Sequence, residues 1–288
     1  MKSRNLSKLM NNKYAFFTID VERLCDIECV YNSKQPVTQN MLDGLDRYIE
    51  ILDKYNIKAT LFVLSELAEE VKEKLKKYIK NGHKIALHGK RHIPPKMMSN
   101  EQFETHIYQA KQELENVLGI DIVGYRAPCF SIDREKLEIL ENLGFKYDSS
   151  RMTFEARHNS YMNMEGFEKI ATETYKKGDF YEFGISTQKV LGKKFPVSGG
   201  GYLRLANWWF ARKTLIKRLK NGNSYVFYLH PFELSKQKRP WIKNLKFFDW
   251  YYLHAGIFSY PYKIEYIIKN LKKQGYIFST FEDISNPK

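Results

Sequence analysis

The sequence predicts an α/β fold in one domain, a barrel of parallel strands wrapped by helices. Three observations point to it. Apolar runs of strand length alternate with amphipathic helical stretches along almost the whole chain. Most of those runs are apolar on both faces, as in a sheet covered on both sides. At 288 residues, with about seven such runs, the chain has the length of one barrel rather than an open sheet. No break in composition divides it, and no internal repeat appears.

Each element follows in order. Residues 1–12 read as a flexible tail, and YAFFTID at 14–20 as a buried strand. Thr38 is expected to cap a helix carrying Met41, Leu42, Leu45, Ile49 and Leu52 on one face. ATLFVL (59–64) is the second strand, and Ser65 opens the helix after it, which runs to Gly82. KIALH (84–88) is the third strand. Ser99 and Gln102 form a capping box for a helix ending near Gly119. IVGYRAP (122–128) is the fourth strand; Asp133 then opens a helix stopped at Gly144, before a short strand FKYDS at 145–149. Residues 150–210 are less regular and carry PVSGGGYLRL at 196–205, whose glycines permit close backbone approach beside a groove. A helix around 207–220, the strand YVFYLH (225–230), a helix at 261–273 and a last strand YIFST (276–280) complete the pattern.

Composition narrows the partners. The apolar fraction of 43% excludes a disordered chain. A net charge of +14, with lysines clustered at 72–80, 213–220 and 236–246, predicts attraction to an anionic partner. A phosphate-linked substrate or an anionic membrane face fits. Zinc-finger spacing and an arginine-rich arm are both missing, so nucleic acid is not expected. Cys25, Cys29 and Cys129 are odd in number and irregularly spaced, which reads as reduced thiols in a cytosolic protein. The N-terminal residues lack the apolar core of a signal peptide, and no run of ~20 apolar residues occurs. The expectation is a cytoplasmic protein, with peripheral contact at the inner membrane face.

In a parallel barrel, functional groups gather at the carboxyl ends of the strands. Here those ends carry Asp20 with Glu22, His88 with His92, Arg126-Ala127-Pro128, and His230-Pro231. His88 and His92 are four residues apart, but Gly89 between them and Pro94-Pro95 after them predict a loop turn, not a helix. Gly89 also occupies the position that an HExxH helix gives to glutamate. Two imidazoles and a carboxylate suit zinc or a similar divalent ion, with Asp20 or Glu22 as the third ligand. The plainer alternative is two histidines on a wet loop. Arg126 could pin a carboxylate through paired hydrogen bonds or form a surface ion pair. His230 could act as a general acid or be a core histidine satisfied by backbone. His83 and His106 read as surface residues, and His158 and His254 have no comparable context.

Taken together and in order, FFTIDVE (16–22), HGKRH (88–92), YRAPCFS (125–131) and YLHPFE (228–233) resemble the motifs of the polysaccharide deacetylase family (NodB-homology domain, carbohydrate esterase family 4). YDSS (147–150) and PVSGGGYLRL resemble a subgroup associated with cell-envelope polysaccharide biosynthesis. The resemblance spans roughly residues 14–285 and implies a distorted (β/α)7, TIM-like barrel as the catalytic domain over 13–288. It implies a metal-dependent hydrolase that removes an N-acetyl group from an amino sugar of a glycan, or of a lipid- or nucleotide-linked saccharide precursor. Carried over, Asp20 is the base, Arg126 orients it, His230 is the acid, and the backbone N–H of Cys129 binds the oxyanion. Glu22, His88 and His92 hold the divalent metal, with zinc expected. Val21 separates two acids that are adjacent in many members, so either Asp20 or Glu22 could reach the ion. Pro128 and Tyr202 are expected to touch substrate, and Asp148 to touch substrate or orient His230. Two rivals keep the barrel: a hydrolase of a ureide or cyclic imide, and a non-catalytic glycan-binding protein.

Overall fold

The computed structural model describes residues 11–153 and 162–287. Its strands are β1 (Lys13–Val21), β2 (Ala59–Val63), β3 (Lys84–Leu87), β4 (Gly124–Tyr125), β5 (Tyr147–Asp148), β6 (Glu168–Ala171), β7 (Thr174–Lys177), β8 (Phe180–Phe183), β9 (Thr187–Val190), β10 (Lys193–Pro196), β11 (Ser224–Phe227) and β12 (Tyr276–Phe278). Seven of them run parallel in the order β11-β1-β2-β3-β4-β5-β8, curled into a barrel with helices outside. β7 and β6 extend the β8 edge antiparallel, and β9 and β10 form a separate hairpin.

Alternation along β1 shows how the sheet sorts its side chains. Tyr14 and Phe16 belong to an inner cluster with Phe62, Ala86, Tyr147, Phe183 and Val226. Ala15, Phe17, Ile19 and Val21 join the larger cluster beneath the helices. Period two therefore directs even-numbered residues of this strand into the barrel. One end of the interior is closed by Phe281, whose ring centroid lies 4.8 Å from that of Phe16 and 4.4 Å from that of Phe183. Polar residues fill the other end.

The hydrogen-bonded ladder is interrupted between β8 and β11, and residues 186–200 bridge the gap. The Ser186 hydroxyl accepts from the Val226 amide at 2.9 Å, the Tyr228 amide donates to Ser198 O, and Gly200 N donates to Tyr228 O. Gly199 makes the approach possible: its φ is +112°, and a Cβ there would sit 2.2 Å from the Tyr228 carbonyl oxygen. The glycine run thus stitches the barrel, besides bordering the groove.

Several local expectations change. The parallel strand after β5 is β8, within the stretch read as irregular, whereas 276–278 pairs with the start of β1, off the seven-strand path. Thr38 does not cap a helix. The helix is Asp43–Asp53, preceded by Met41 in the left-handed region at φ 59°, and the Thr38 hydroxyl donates to Gln39. Ser65 begins a short 3-10 turn before the helix Ala68–Lys80, and its hydroxyl donates to Glu113. Ser99 with Gln102 does form a reciprocal capping box, and Asp133 does cap Arg134–Asn142. Residues 1–10 of the expected tail, and His158, lie outside the described residues.

The Asp43–Asp53 helix packs on the loop that follows His230. Asp43 accepts from the Ser235 hydroxyl and from the Lys236 amide, and a Cβ on Gly44 would lie 1.8 Å from the Pro231 carbonyl oxygen. Gly44→Ala should therefore destabilise by about 1–3 kcal/mol through overpacking, although alanine is the better helix former. A raised denaturation midpoint in Gly44→Ala would show that this contact does not hold the loop.

Candidate active site

The polar end of the barrel opens into a cavity of about 610 Å³. Asp20, Glu22, His88, His92, Cys129, Tyr202 and His230 all line it. β1 brings the two carboxylates there by its period: positions 20 and 22 continue the inward face begun by Phe16. Phe130, Met152, Leu205, Tyr228 and Tyr252 supply an apolar and aromatic wall.

Glu22 sits among three histidines. Its Oε2 lies 2.8 Å from His92 Nε2 and 3.9 Å from His88 Nε2, and its Oε1 lies 3.6 Å from His230 Nε2. Burial alone would raise the Glu22 carboxyl, but His92, His230 and His88 outweigh burial and hold it below its ordinary value. The His88 ring is fixed in one tautomer. Its Nδ1 lies 2.8 Å from the Arg126 carbonyl, which can only accept, so Nδ1 carries the proton and Nε2 presents a lone pair. Burial, with His92 alongside, pushes His88 down to about 3 and keeps it neutral. Burial also opposes charge on His92, but Glu22 overcomes it and raises that imidazole.

Glu22, His88 and His92 each offer a ligand atom, and these atoms lie within 4.8 Å of one another. Despite the nearby imidazole, Glu22 Oε2 is buried without a hydrogen bond. An orphaned carboxylate oxygen beside a bare imidazole nitrogen is a donor set that a cation fits.

Asp20 has a different partner. Its Oδ1 accepts from Arg126 Nη1 at 2.7 Å. The same guanidinium donates to Thr18 Oγ1 at 2.8 Å, Ser149 O at 3.0 Å and Ser149 Oγ at 2.8 Å, and lies 4.1 Å over the Phe62 ring. Arg126 is fully buried beneath the cavity floor and does not line it.

His230 is oriented by a chain the sequence reading passed over. Glu233 Oε2 lies 3.3 Å from His230 Nδ1 and also accepts from the His230 amide at 3.0 Å. Its Oε1 accepts from Arg204 Nε at 2.8 Å, and Glu233 and Arg204 are both buried. A carboxylate can only accept, so His230 Nδ1 donates and Nε2 faces the cavity. Burial disfavours charge on His230, but Glu22 and Glu233 raise it to about 9. Both missed residues stood in quoted motifs: Glu233 ends YLHPFE, where Pro231 opens one 3-10 turn, and Arg204 lies in PVSGGGYLRL.

Other expectations fall elsewhere. Asp148 is fully buried and does not line the cavity; it accepts from the Ser150 amide and hydroxyl, and burial pushes its carboxyl up. Pro128 also stays off the cavity wall, but it precedes Cys129 and Phe130, which sit in the left-handed region at φ 55° and 54°. His83 is buried rather than on the surface, accepting the Ala59 amide through Nδ1. His106 is half-buried and accepts the Lys90 amide, bracing the loop between His88 and His92.

Residues 39–147 match the family profile described as polysaccharide deacetylase, and residues 149–274 match a domain of unknown function, DUF3473. The first match contains His88, His92 and Arg126, the second Arg204, His230 and Glu233, and Asp20 and Glu22 precede both. A peptidoglycan deacetylase from Helicobacter pylori is 24% identical over 265 residues, covering 84% of this chain and 83% of that protein. Among solved structures, a Mycobacterium smegmatis protein assigned to the polysaccharide deacetylases aligns with TM-score 0.60 at 18% identity, over 96% of this chain and 90% of that one. The PuuE allantoinase aligns with TM-score 0.56 at 13% identity, over 96% and 91% of the two chains. Both structural likenesses concern the fold.

The Arg126–Asp20 pair is wholly desolvated, so removing one partner should cost more than removing both. Arg126→Met should lower unfolding free energy by about 3–5 kcal/mol, and adding Asp20→Asn should restore part of it. Strictly additive losses in the double variant, read from denaturant midpoints, would contradict the pairing.

Proposed function

The chain belongs to the polysaccharide deacetylase family, and from that premise we propose a metal-dependent carbohydrate N-deacetylase. The observation that carries this reading is the convergence of Asp20, His230 and the Glu22–His88–His92 cluster in one cavity. The same convergence favours an enzyme over a glycan-binding barrel.

Glu22, His88 and His92 would hold the ion, and zinc suits two imidazoles and one carboxylate with a position left open. When bound, a divalent ion supplies positive charge that polarises the acetamide carbonyl and acidifies water. Asp20, aimed by Arg126, accepts the proton from the attacking water. In this reading the backbone N–H of Cys129, a residue that lines the cavity, donates to the oxygen on which negative charge develops. His230, protonated and facing the cavity through Nε2, gives its proton to the nitrogen as the C–N bond breaks. Acetate and a free amine leave. Glu233 holds the imidazole in position, and Arg204 holds Glu233. Tyr202, half-exposed at the mouth, contacts the sugar.

The substrate we propose is an N-acetylated amino sugar carried on a phosphate-linked lipid or nucleotide, within cell-envelope polysaccharide synthesis. The charge of +14 suits the phosphate and an anionic membrane face, and the free thiols of Cys25, Cys29 and Cys129 suit a cytoplasmic location.

The test combines metal analysis with an acetate-release screen over free, nucleotide-linked and lipid-linked N-acetyl amino sugars, with ureides as comparison. His88→Ala should lose both metal and activity. Asp20→Asn should keep the metal and lose about 10²–10⁴-fold in rate. Full metal content and normal turnover in His88→Ala would sink the reading. Glu233→Gln should lower kcat more than it changes KM, and by less than His230→Ala does. An unchanged kcat in Glu233→Gln would remove Glu233 from the mechanism.

A further inference from the structure

The helix Phe247–His254, FFDWYYLH, buries only Leu253 among its residues. Phe247 is 69% exposed, Phe248 80%, and Trp250 and Tyr251 about 40%. These rings form one patch: the Phe247 centroid lies within 6.5 Å of those of Phe248, Trp250 and Tyr251. Trp241, earlier on the same segment, is 76% exposed. So much contiguous aromatic surface on a soluble protein marks an interaction site.

Charge accompanies the rings. Residues 236–248 contain Lys236, Lys238, Arg239, Lys243 and Lys246 and no acid. All four lysines are exposed, whereas Arg239 ties the segment to the helix by donating to Leu253 O and Phe232 O at 2.8 Å. The single acid of the helix, Asp249, turns into the catalytic cavity, as does Tyr252. Arg204 anchors the helix by donating to the Tyr252 and Ala255 carbonyls. The outer face of a rigid cavity wall is therefore aromatic and basic.

We propose that this ledge seats the protein on an anionic lipid bilayer, with the Phe and Trp rings in the headgroup boundary and the lysines on the lipid charges. Aromatic rings at the interface and lysines beside anionic headgroups each favour that position. A second copy is a poor occupant, because a two-fold contact would oppose the same lysines. A neutral glycan would leave the lysines without a partner. Seating places the cavity mouth beside the headgroups, where a lipid-linked sugar would be presented. That use rests on the proposed substrate, but the seating is measured without turnover, so failure of one leaves the other standing.

The experiment is sedimentation of the full chain with phosphatidylcholine vesicles and with phosphatidylcholine–phosphatidylglycerol vesicles, alongside quenching of tryptophan fluorescence by brominated lipid. Binding only to the anionic vesicles, weakened by salt, with quenching of Trp241 and Trp250, is expected. Lys243→Gln and Lys246→Gln should each weaken binding by about fivefold. Phe247→Ser with Phe248→Ser should abolish quenching while leaving the melting temperature unchanged, and the lysine variants provide the readout if that pair misfolds. The proposal is overturned by absent vesicle binding, by binding indifferent to these substitutions, or by aromatic variants that convert a dimer to a monomer. Saccharide that shields the tryptophans where vesicles do not would overturn it as well.

Discussion

One buried cation organises this barrel. Arg126 donates to Thr18 and Asp20 on β1 and to Ser149 after β5, while its ring-stacking partner Phe62 lies on β2. Its backbone extends the reach: the amide donates to Leu87 O at the end of β3, and the carbonyl accepts from His88 Nδ1. Thr18 passes a hydrogen bond on to Phe227 of β11, and Ser149 passes one on to Phe183 of β8. A guanidinium offers five donors in a fixed plane, so one side chain can tie strands that never pair with each other. The desolvation of that charge is offset only when every arm is engaged, which makes the core polar and strict about geometry.

From this constraint follows a division between two carboxylates. Asp20 and Glu22 both face inward because β1 alternates, yet Arg126 engages the first and the histidines surround the second. Different neighbours give like groups different roles. The intervening Val21 packs with the outer core. Two adjacent acids on a straight strand would point to opposite faces, whereas a spacing of two keeps both on the cavity side. The sequence left open which acid belongs to the ligand set. The geometry favours Glu22, since Asp20 is held toward the guanidinium.

Much of this was legible in the sequence. Polar residues ending apolar runs located the rim, and their order carried the family resemblance. What escaped had physical causes. β8 (FYEF) has an acid in its middle and lies in a stretch of short strands, so it shows no apolar run of usual length. Glu182 belongs in that strand because its carboxylate accepts the Arg151 amide, a tertiary fact without local signature. His83 follows a helix stop, where a surface position is the ordinary expectation, yet its Nδ1 accepts a backbone proton from a strand 24 residues earlier. Asp148 carries the chemistry of a site residue but spends it on the Ser150 turn. Glu233 was readable, since three residues of a 3-10 turn return its carboxylate to His230.

The site also bears on how the chain is divided. The two profile matches meet near residue 148, but the sheet does not part there. β5 pairs with β8 across that boundary, and β1 is flanked by β2 on one edge and β11 on the other. His88 and His92 come from the first segment, His230 with Glu233 and Arg204 from the second, and Asp20 and Glu22 from before either. Cutting at the boundary would strip β11 from β1 and expose the edge at Tyr14, Ala15, Phe16 and Phe17, all of them buried. It would also leave Glu22 without His230 and Thr18 without its acceptor on Phe227. Neither half retains a complete set of groups around the cavity, so chemistry and folding depend on the same strand pairings.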